Sequence, residues 1–352
     1  MLADLAKRLL YASGALGLYH SIRNRNQLTV VMFHRVLDPA DPRWKSCDPD
    51  YTLPVDLFIH SLEFFRRHYN VVAMEDVLAA RRGQKRLPPR PLLITFDDGW
   101  ADNADFALPQ LRERGLPALM FVVADAVGAR QPFYQERIFS AWRRGALQIS
   151  TLREELHALG ADVGSLANEE EAALRRLIGA VEELELRVRA CLLERLAGCL
   201  DDELRHMVDC NDLRRLRDHG VGLGLHGRTH TPMTRALDLD DELSGARSVL
   251  AERMEPERLA GETMSFPHGA HDAAIARRAR DAGYELVFTS VPALNPVRPT
   301  VGWLLARTGF EADTIRDAKG RFRPDWLALY LFRKPSRSLV TLDYSSSSAD
   351  VR

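Results

Sequence analysis

The chain has 352 residues and a formal net charge of −1, with 46% hydrophobic and 28% charged residues, which suits one large α/β domain with an ample core. So balanced a charge argues against a nucleic-acid partner, which would need a concentrated positive face. Cys47, Cys191, Cys199 and Cys210 show neither CxxC spacing nor a dense framework, so reduced thiols and a cytoplasmic setting are expected.

The first element is the largely apolar run from Leu9 to Tyr19, preceded by Lys7 and Arg8 and followed by Arg23 and Arg25. It is too short to cross a bilayer, which takes ~20 residues, and no small-x-small cleavage site follows it. Residues 1–27 therefore read as an amphipathic helix, docked on the domain or resting on the inner membrane surface through its basic ends. From His34 to about Val123 strands alternate with helices. Leu57 to Tyr69 and Met74 to Arg82 have helical spacing, Asn70-Val71-Val72 reads as a strand, and Leu92 to Phe96 and Ala118 to Val123 are continuous apolar strands buried on both faces. That alternation predicts a largely parallel sheet closed into a barrel with helices outside.

Between about Pro132 and Asp209 charges and leucines dominate, as in Glu169 to Ile178, which predicts a mainly helical insertion. Its Phe133, Tyr134 and Trp142 suit either core packing or stacking on sugar rings in a cap over a substrate groove. Residues 316–352 hold a final helix around Trp326 to Phe332 and a polar, disordered end at Ser345 to Ser348. There is no internal repeat and no Gly-rich phosphate loop.

Chemistry concentrates at two strand ends. Leu93 to Phe96 is an apolar run that opens into Asp97-Asp98-Gly99, and enzymes with barrels or open α/β sheets keep their reactive groups at that end of a strand. Val221 to Leu225 leads likewise into His226-Gly227-Arg228-Thr229-His230. Imidazoles four residues apart face one side if the turn is helical, and with Asp98 they compose a two-histidine, one-carboxylate metal set with open positions for water and substrate.

Thr95 to Asn103, followed by Leu108-Pro109 and Gly115 to Val122, resembles the first motif and the following helix and strand of the polysaccharide deacetylases, the NodB-homology group of carbohydrate esterases. His226 to His230 is similar to their second motif. Met264 to Asp272, with Ala282-Gly283-Tyr284 and Phe288-Thr289-Ser290, is similar to the third. Val30 to Val36 resembles a strand of bacterial members tied to exopolysaccharide biosynthesis. The resemblance runs from about residue 28 to about residue 310. It implies a distorted (β/α)7 TIM-like barrel over residues 28–315, with the helical insertion at about 132–209.

The resemblance also implies roles. Asp98, His226 and His230 would hold a divalent metal, most suitably zinc, with cobalt, nickel or iron as substitutes. Asp97 would be the general base, while the ion would lower the pKa of bound water toward ~7 and polarise the carbonyl. Pro267, His268 and Gly269 would line the acetyl groove, the backbone N–H of His268 facing the developing oxyanion; Trp100 and Arg307 join the substrate-binding set. Two departures matter. Where the family often reads Arg-x-Pro-Tyr-Gly, this chain has Ser265-Phe266-Pro267-His268-Gly269, so Asp97 needs another orienting group, with Arg307 and Arg35 as candidates. No histidine follows His271, so the late histidine acid of the family is missing; His34 is the preferred replacement, ahead of His268 and His271, unless it only buttresses the rim.

The expected function is a metal-dependent de-N-acetylase acting on an N-acetylated sugar in a polysaccharide, a lipid-linked glycan or a glycoside. The alternatives are an O-deacetylase or another C–N amide hydrolase on the same fold, and a sugar-binding protein without turnover.

Overall fold

The computed structural model describes residues 2–164, 170–254 and 261–339. Contacts divide the chain into two units: one is built from the residues up to Asp38, from Tyr51 to Gly128 and from Val208 onward, the other from Pro39 to Asp50 and Ala129 to Met207.

The larger unit is a barrel. Its strands are β1 (Gln27–Phe33), β2 (Pro91–Phe96), β3 (Ala118–Val122), β4 (Val221–Leu225), β5 (Thr263–Ser265), β6 (Leu286–Phe288), β7 (Leu304–Leu305) and β8 (Thr308–Gly309). Each pairs in parallel with the next from β1 to β7. β8, only two residues beyond β7, pairs in parallel with β1, so the sheet nearly closes on itself. Asn70–Val71 lies beside the start of β2, and Asn295–Pro296 runs antiparallel to the start of β1.

The continuous apolar runs have two buried faces because the sheet does. Val30, Leu93, Leu119, Phe121, Leu286 and Phe288 belong to one buried cluster; the intervening Val31, Ile94, Met120, Val122 and Val287 belong to another, shared with helices such as α3 (Val55–His68). The two-residue period sorts them. Gly224 is required by this packing: a Cβ there would come within 2.6 Å of the Phe121 ring and 2.7 Å of the Thr263 hydroxyl.

The first residues differ from expectation. In place of one amphipathic helix there are two, α1 (Leu2–Ala12) and α2 (Ala15–Arg23), because Gly14 turns the chain at φ +79°, a left-handed conformation open to glycine at little cost. Among the described residues no helix is long and apolar enough to cross a membrane. The last helix, α4 (Pro324–Phe332), falls within the predicted tail; Ser345 to Ser348 lie outside the described residues.

The smaller unit is helical, with its main helices at Tyr134–Arg143, Ile149–Ala158, Glu170–Glu183 and Leu186–Arg195. Ile138, Phe139, Leu152, Leu174, Leu177 and Leu192 form a core of its own. Tyr134 and Trp142 pack against that core, and the Arg189 guanidinium lies 4.8 Å from the centre of the Tyr134 ring. No disulfide joins any of the four cysteines.

Candidate metal centre and active site

The interior-facing phase of the strands reaches the barrel mouth as polar residues. Asp97 continues the side of β2 that carries Leu93 and Thr95, His226 follows β4, Ser265 ends β5, and Arg307 stands between β7 and β8. Asp97 is nearly inaccessible, and its carboxylate is gripped by both Arg307 amines, Nη1 donating to Oδ1 at 2.6 Å and Nη2 to Oδ2 at 2.7 Å. Arg307 Nε donates in turn to the Thr289 carbonyl at 3.0 Å. Burial alone would raise the Asp97 pKa, but the guanidinium outweighs it and holds the carboxyl below the ordinary carboxylate range.

Asp98 points elsewhere because its backbone is left-handed, at φ +74°, with Gly99 following at +84°. A non-glycine residue pays for that conformation with strain. Its Oδ2 accepts from the Trp100 indole N–H at 2.9 Å, and its Oδ1 lies 3.3 Å from His226 Nε2 and 3.2 Å from His230 Nε2. Burial works against ionisation here too; hydrogen bonds from the two imidazoles win and hold the Asp98 pKa well below its usual value. Of the five non-glycine residues with positive φ among the described residues, Asp98, His230 and His268 belong to this cluster. Strain of this kind gathers where function overrides local preference.

The two histidines are not presented by a helical turn, as their spacing suggested. His226 follows directly from β4, Gly227 turns the chain at φ +72°, and His230 is itself at +66°. Buried Glu242 makes that turn: its Oε2 accepts from the backbone N–H groups of Arg228 at 2.8 Å and Thr229 at 3.1 Å, and its Oε1 accepts from the Thr229 hydroxyl. No motif signalled Glu242. His226 Nδ1 faces the Ser265 carbonyl at 3.0 Å and the Ser265 hydroxyl at 2.6 Å. These oxygens call for a proton on Nδ1, so Nε2, which donates to Asp98 here, is the nitrogen that would give up its proton to a metal ion. The same hydroxyl donates to Asp97 Oδ1 at 3.3 Å, so the serine that stands in place of the family's arginine links both parts of the site.

One oxygen of Asp98 and one nitrogen each from His226 and His230 lie within 4.8 Å of one another. Arg307 already neutralises Asp97, so the charge of Asp98 is the one left for a cation. The two carboxylates raise the His226 pKa against the opposing effect of burial: the site draws positive charge, which a proton or a metal ion can supply. Two imidazole nitrogens and one carboxylate oxygen form a donor set that fits a divalent transition ion.

Trp100 and Arg307, expected among the substrate-binding residues, are 3% and 1% exposed and are bonded to Asp98 and Asp97, and Arg307 is the one of the two candidate orienting groups that reaches Asp97. Arg35, the other candidate partner of Asp97, donates to Asp102 at 2.8 Å and lies over the Trp100 ring at 4.3 Å. Of the remaining candidates, His34 is half-buried, edge-on to Tyr51 at 5.1 Å. Burial lowers its pKa more than Asp98 and Asp97 raise it. His268 lies 4.5 Å from the His230 ring in the turn Pro267–Gly269. In the same turn Gly269 has φ +67°, and a Cβ there would meet the Ser290 hydroxyl at 2.0 Å. His271 stacks on Phe266 at 4.6 Å and its Nδ1 faces the Gly269 carbonyl at 2.8 Å.

A nearly closed parallel sheet with an Asp-His-His cluster at its mouth is the frame of a barrel hydrolase. A family model described as polysaccharide deacetylase matches residues 84–287, and the chain belongs to that family. It is thus a hydrolase of carbon–nitrogen bonds other than peptide bonds. Among curated proteins none matches this sequence. Similar solved structures include the deacetylase PplD of Streptococcus pyogenes in complex with acetate, at 12% identity and a TM-score of 0.55, covering 87% of this chain and 99% of that one. Another is IcaB from Ammonifex degensii, at 17% identity and a TM-score of 0.54, covering 87% of this chain and 97% of that one. At such identities the likeness speaks for the barrel.

Proposed function

We propose that this protein is a metal-dependent de-N-acetylase acting on an N-acetylated sugar of a polysaccharide, lipid-linked glycan or glycoside. The observation that carries the reading is the convergence of Asp98, His226 and His230 on one point, with Asp97 linked to the same site through Ser265. A divalent ion held by those three donors, zinc by preference, would polarise the acyl oxygen and acidify a water molecule.

The remaining steps fall to the chain. Asp97 takes the proton of the attacking water. As a carboxylate held below the usual range it is a weak base, so it acts by position: both oxygens are fixed by Arg307 and the stereochemistry of proton transfer is set in advance. The backbone N–H of His268 faces the oxyanion and the turn Pro267–Gly269 shapes the acetyl pocket. His34 delivers a proton to the departing amine. Its ring is neutral at neutral pH because burial lowers its pKa, so the proton it delivers is the one Asp97 has taken from the water, and Asp97 returns to its carboxylate form.

The test is to strip the full-length protein with a chelator, reload it separately with zinc, cobalt, nickel and iron, and follow acetate and free amine released from an N-acetylhexosamine oligosaccharide. Equal amounts of both, restored by a metal, are expected. Acetate without amine would transfer the assignment to an O-deacetylase, and full activity after chelation would end the metal-dependent reading.

A further inference from the structure

We propose that the α1–α2 hairpin is a membrane-docking surface for anionic lipid. The inner face of α1 is its polar one. Asp4 accepts from Arg323 Nη2 at 2.7 Å, the Lys7 ammonium lies over the Trp326 ring at 5.7 Å, and the Tyr11 hydroxyl is 3.0 Å from His68 Nε2. Positions 4, 7 and 11 recur at helical spacing and define the side turned toward the barrel unit. Leu5, Leu9 and Leu10 are exposed instead. α2 does the same: His20 is buried and stacked on Phe332 at 4.0 Å, while Leu18, Tyr19 and Ile22 are exposed. These six side chains keep between 42% and 71% of their surface, and they are six of the nine large exposed hydrophobics among the described residues. An ordinary surface helix buries such a stripe and exposes the charges.

The surrounding charge says what covers it. Lys7, Arg8, Arg23 and Arg25 are exposed, against Asp4 as the one acid in the first 26 residues, and Asp4 is already shared by Arg323 and Arg8. Arg23 is bonded to the Phe332 and Lys334 carbonyls, so Arg333, Lys334 and Arg337, which follow α4, extend the same basic rim. A second copy of this face would set cation against cation. An anionic bilayer instead takes the leucines into its acyl boundary and meets the rim with its phosphates. Neither helix of the hairpin is long and apolar enough to span a bilayer, so the hairpin lies on the membrane and does not cross it.

The full-length protein is sedimented with vesicles of equal parts phosphatidylglycerol and phosphatidylcholine, and with vesicles of phosphatidylcholine alone. Binding to the first, lost on adding salt, is expected. Leu9→Glu with Ile22→Glu, and separately Arg8→Glu with Arg25→Glu, should each weaken it about tenfold or more, with circular dichroism and turnover of a soluble substrate unchanged. Because the two variants alter different side chains, misfolding of one leaves the other to decide. Equal binding to neutral vesicles, binding that both folded variants keep, or wild-type protein staying in the supernatant would overturn the proposal. So would a wild-type dimer in analytical ultracentrifugation that Leu9→Glu with Ile22→Glu converts to monomer while no lipid is bound.

Discussion

At the barrel mouth charge is buried, whereas on the N-terminal hairpin apolar surface is exposed; each region reverses the usual partition between core and solvent. The mouth repays the burial internally. Asp97 has Arg307, Asp98 has two imidazoles and an indole N–H, and Glu242 has two backbone donors and a hydroxyl. The hairpin has no such compensation within the unit, since its cations lie beside its leucines and face the same solvent. A buried charge network thus points inward to chemistry, and an exposed apolar one points outward to a surface.

The comparison breaks first at the cation. Asp98→Asn keeps the shape but removes the charge that draws a metal, so metal content should fall to trace and turnover by on the order of 10³-fold; elemental analysis beside a kinetic assay checks both, and a variant that keeps stoichiometric metal would refute the ligand role. Arg307→Ala comes next, because it leaves Asp97 buried and unpaired. Such a loss costs about 3–5 kcal/mol, visible as a lower midpoint in urea unfolding. Arg307→Lys should recover most of that stability but little of the rate, since one ammonium cannot hold both carboxylate oxygens.

Acid should also act on the hairpin side. His20 has its pKa lowered to about 3, chiefly by burial, with Arg90 adding to it. Its ordinary value is near 6.5, so the unfolded chain binds the proton more readily. The stability tied to its neutral ring is therefore complete above about pH 6.5 and is lost as pH falls toward about 3, up to a few kcal/mol. His20→Gln should flatten that slope of Tm against pH, and an unchanged slope would remove His20 from the account. The smallest effect expected is from Glu242→Gln, about 1–2 kcal/mol, with weakened metal retention and a near-normal rate once metal is saturating.

Much of the site could be read before the fold was known. Asp97, Asp98, His226 and His230 stand at the ends of apolar runs, and a run that stops at a cluster of ionisable residues carries its own location. Glu242 and the Ser265 hydroxyl had no such signal. Glu242 acts from a π-helical turn well beyond the loop it holds, and a lone serine in a short strand has no chemistry until its neighbours are known. Spacing misled once, at the histidine pair: four residues suggested a helical turn, but Gly227 and Glu242 build the loop instead.

By itself the sequence determined the alternation of strand and helix, the parallel barrel, the family and the chemical types of the candidate site residues. These follow from periodicity and from residue chemistry, which are local properties. Only the tertiary structure decided that Arg307 closes on Asp97 across 210 positions of chain, and that α1 turns its leucines outward. Pairing partners depend on where the sheet closes, and the docked face of an amphipathic helix depends on the surface it meets. Arg323, Trp326 and His68 offered that helix a polar and aromatic seat, and no pattern within α1 could show it.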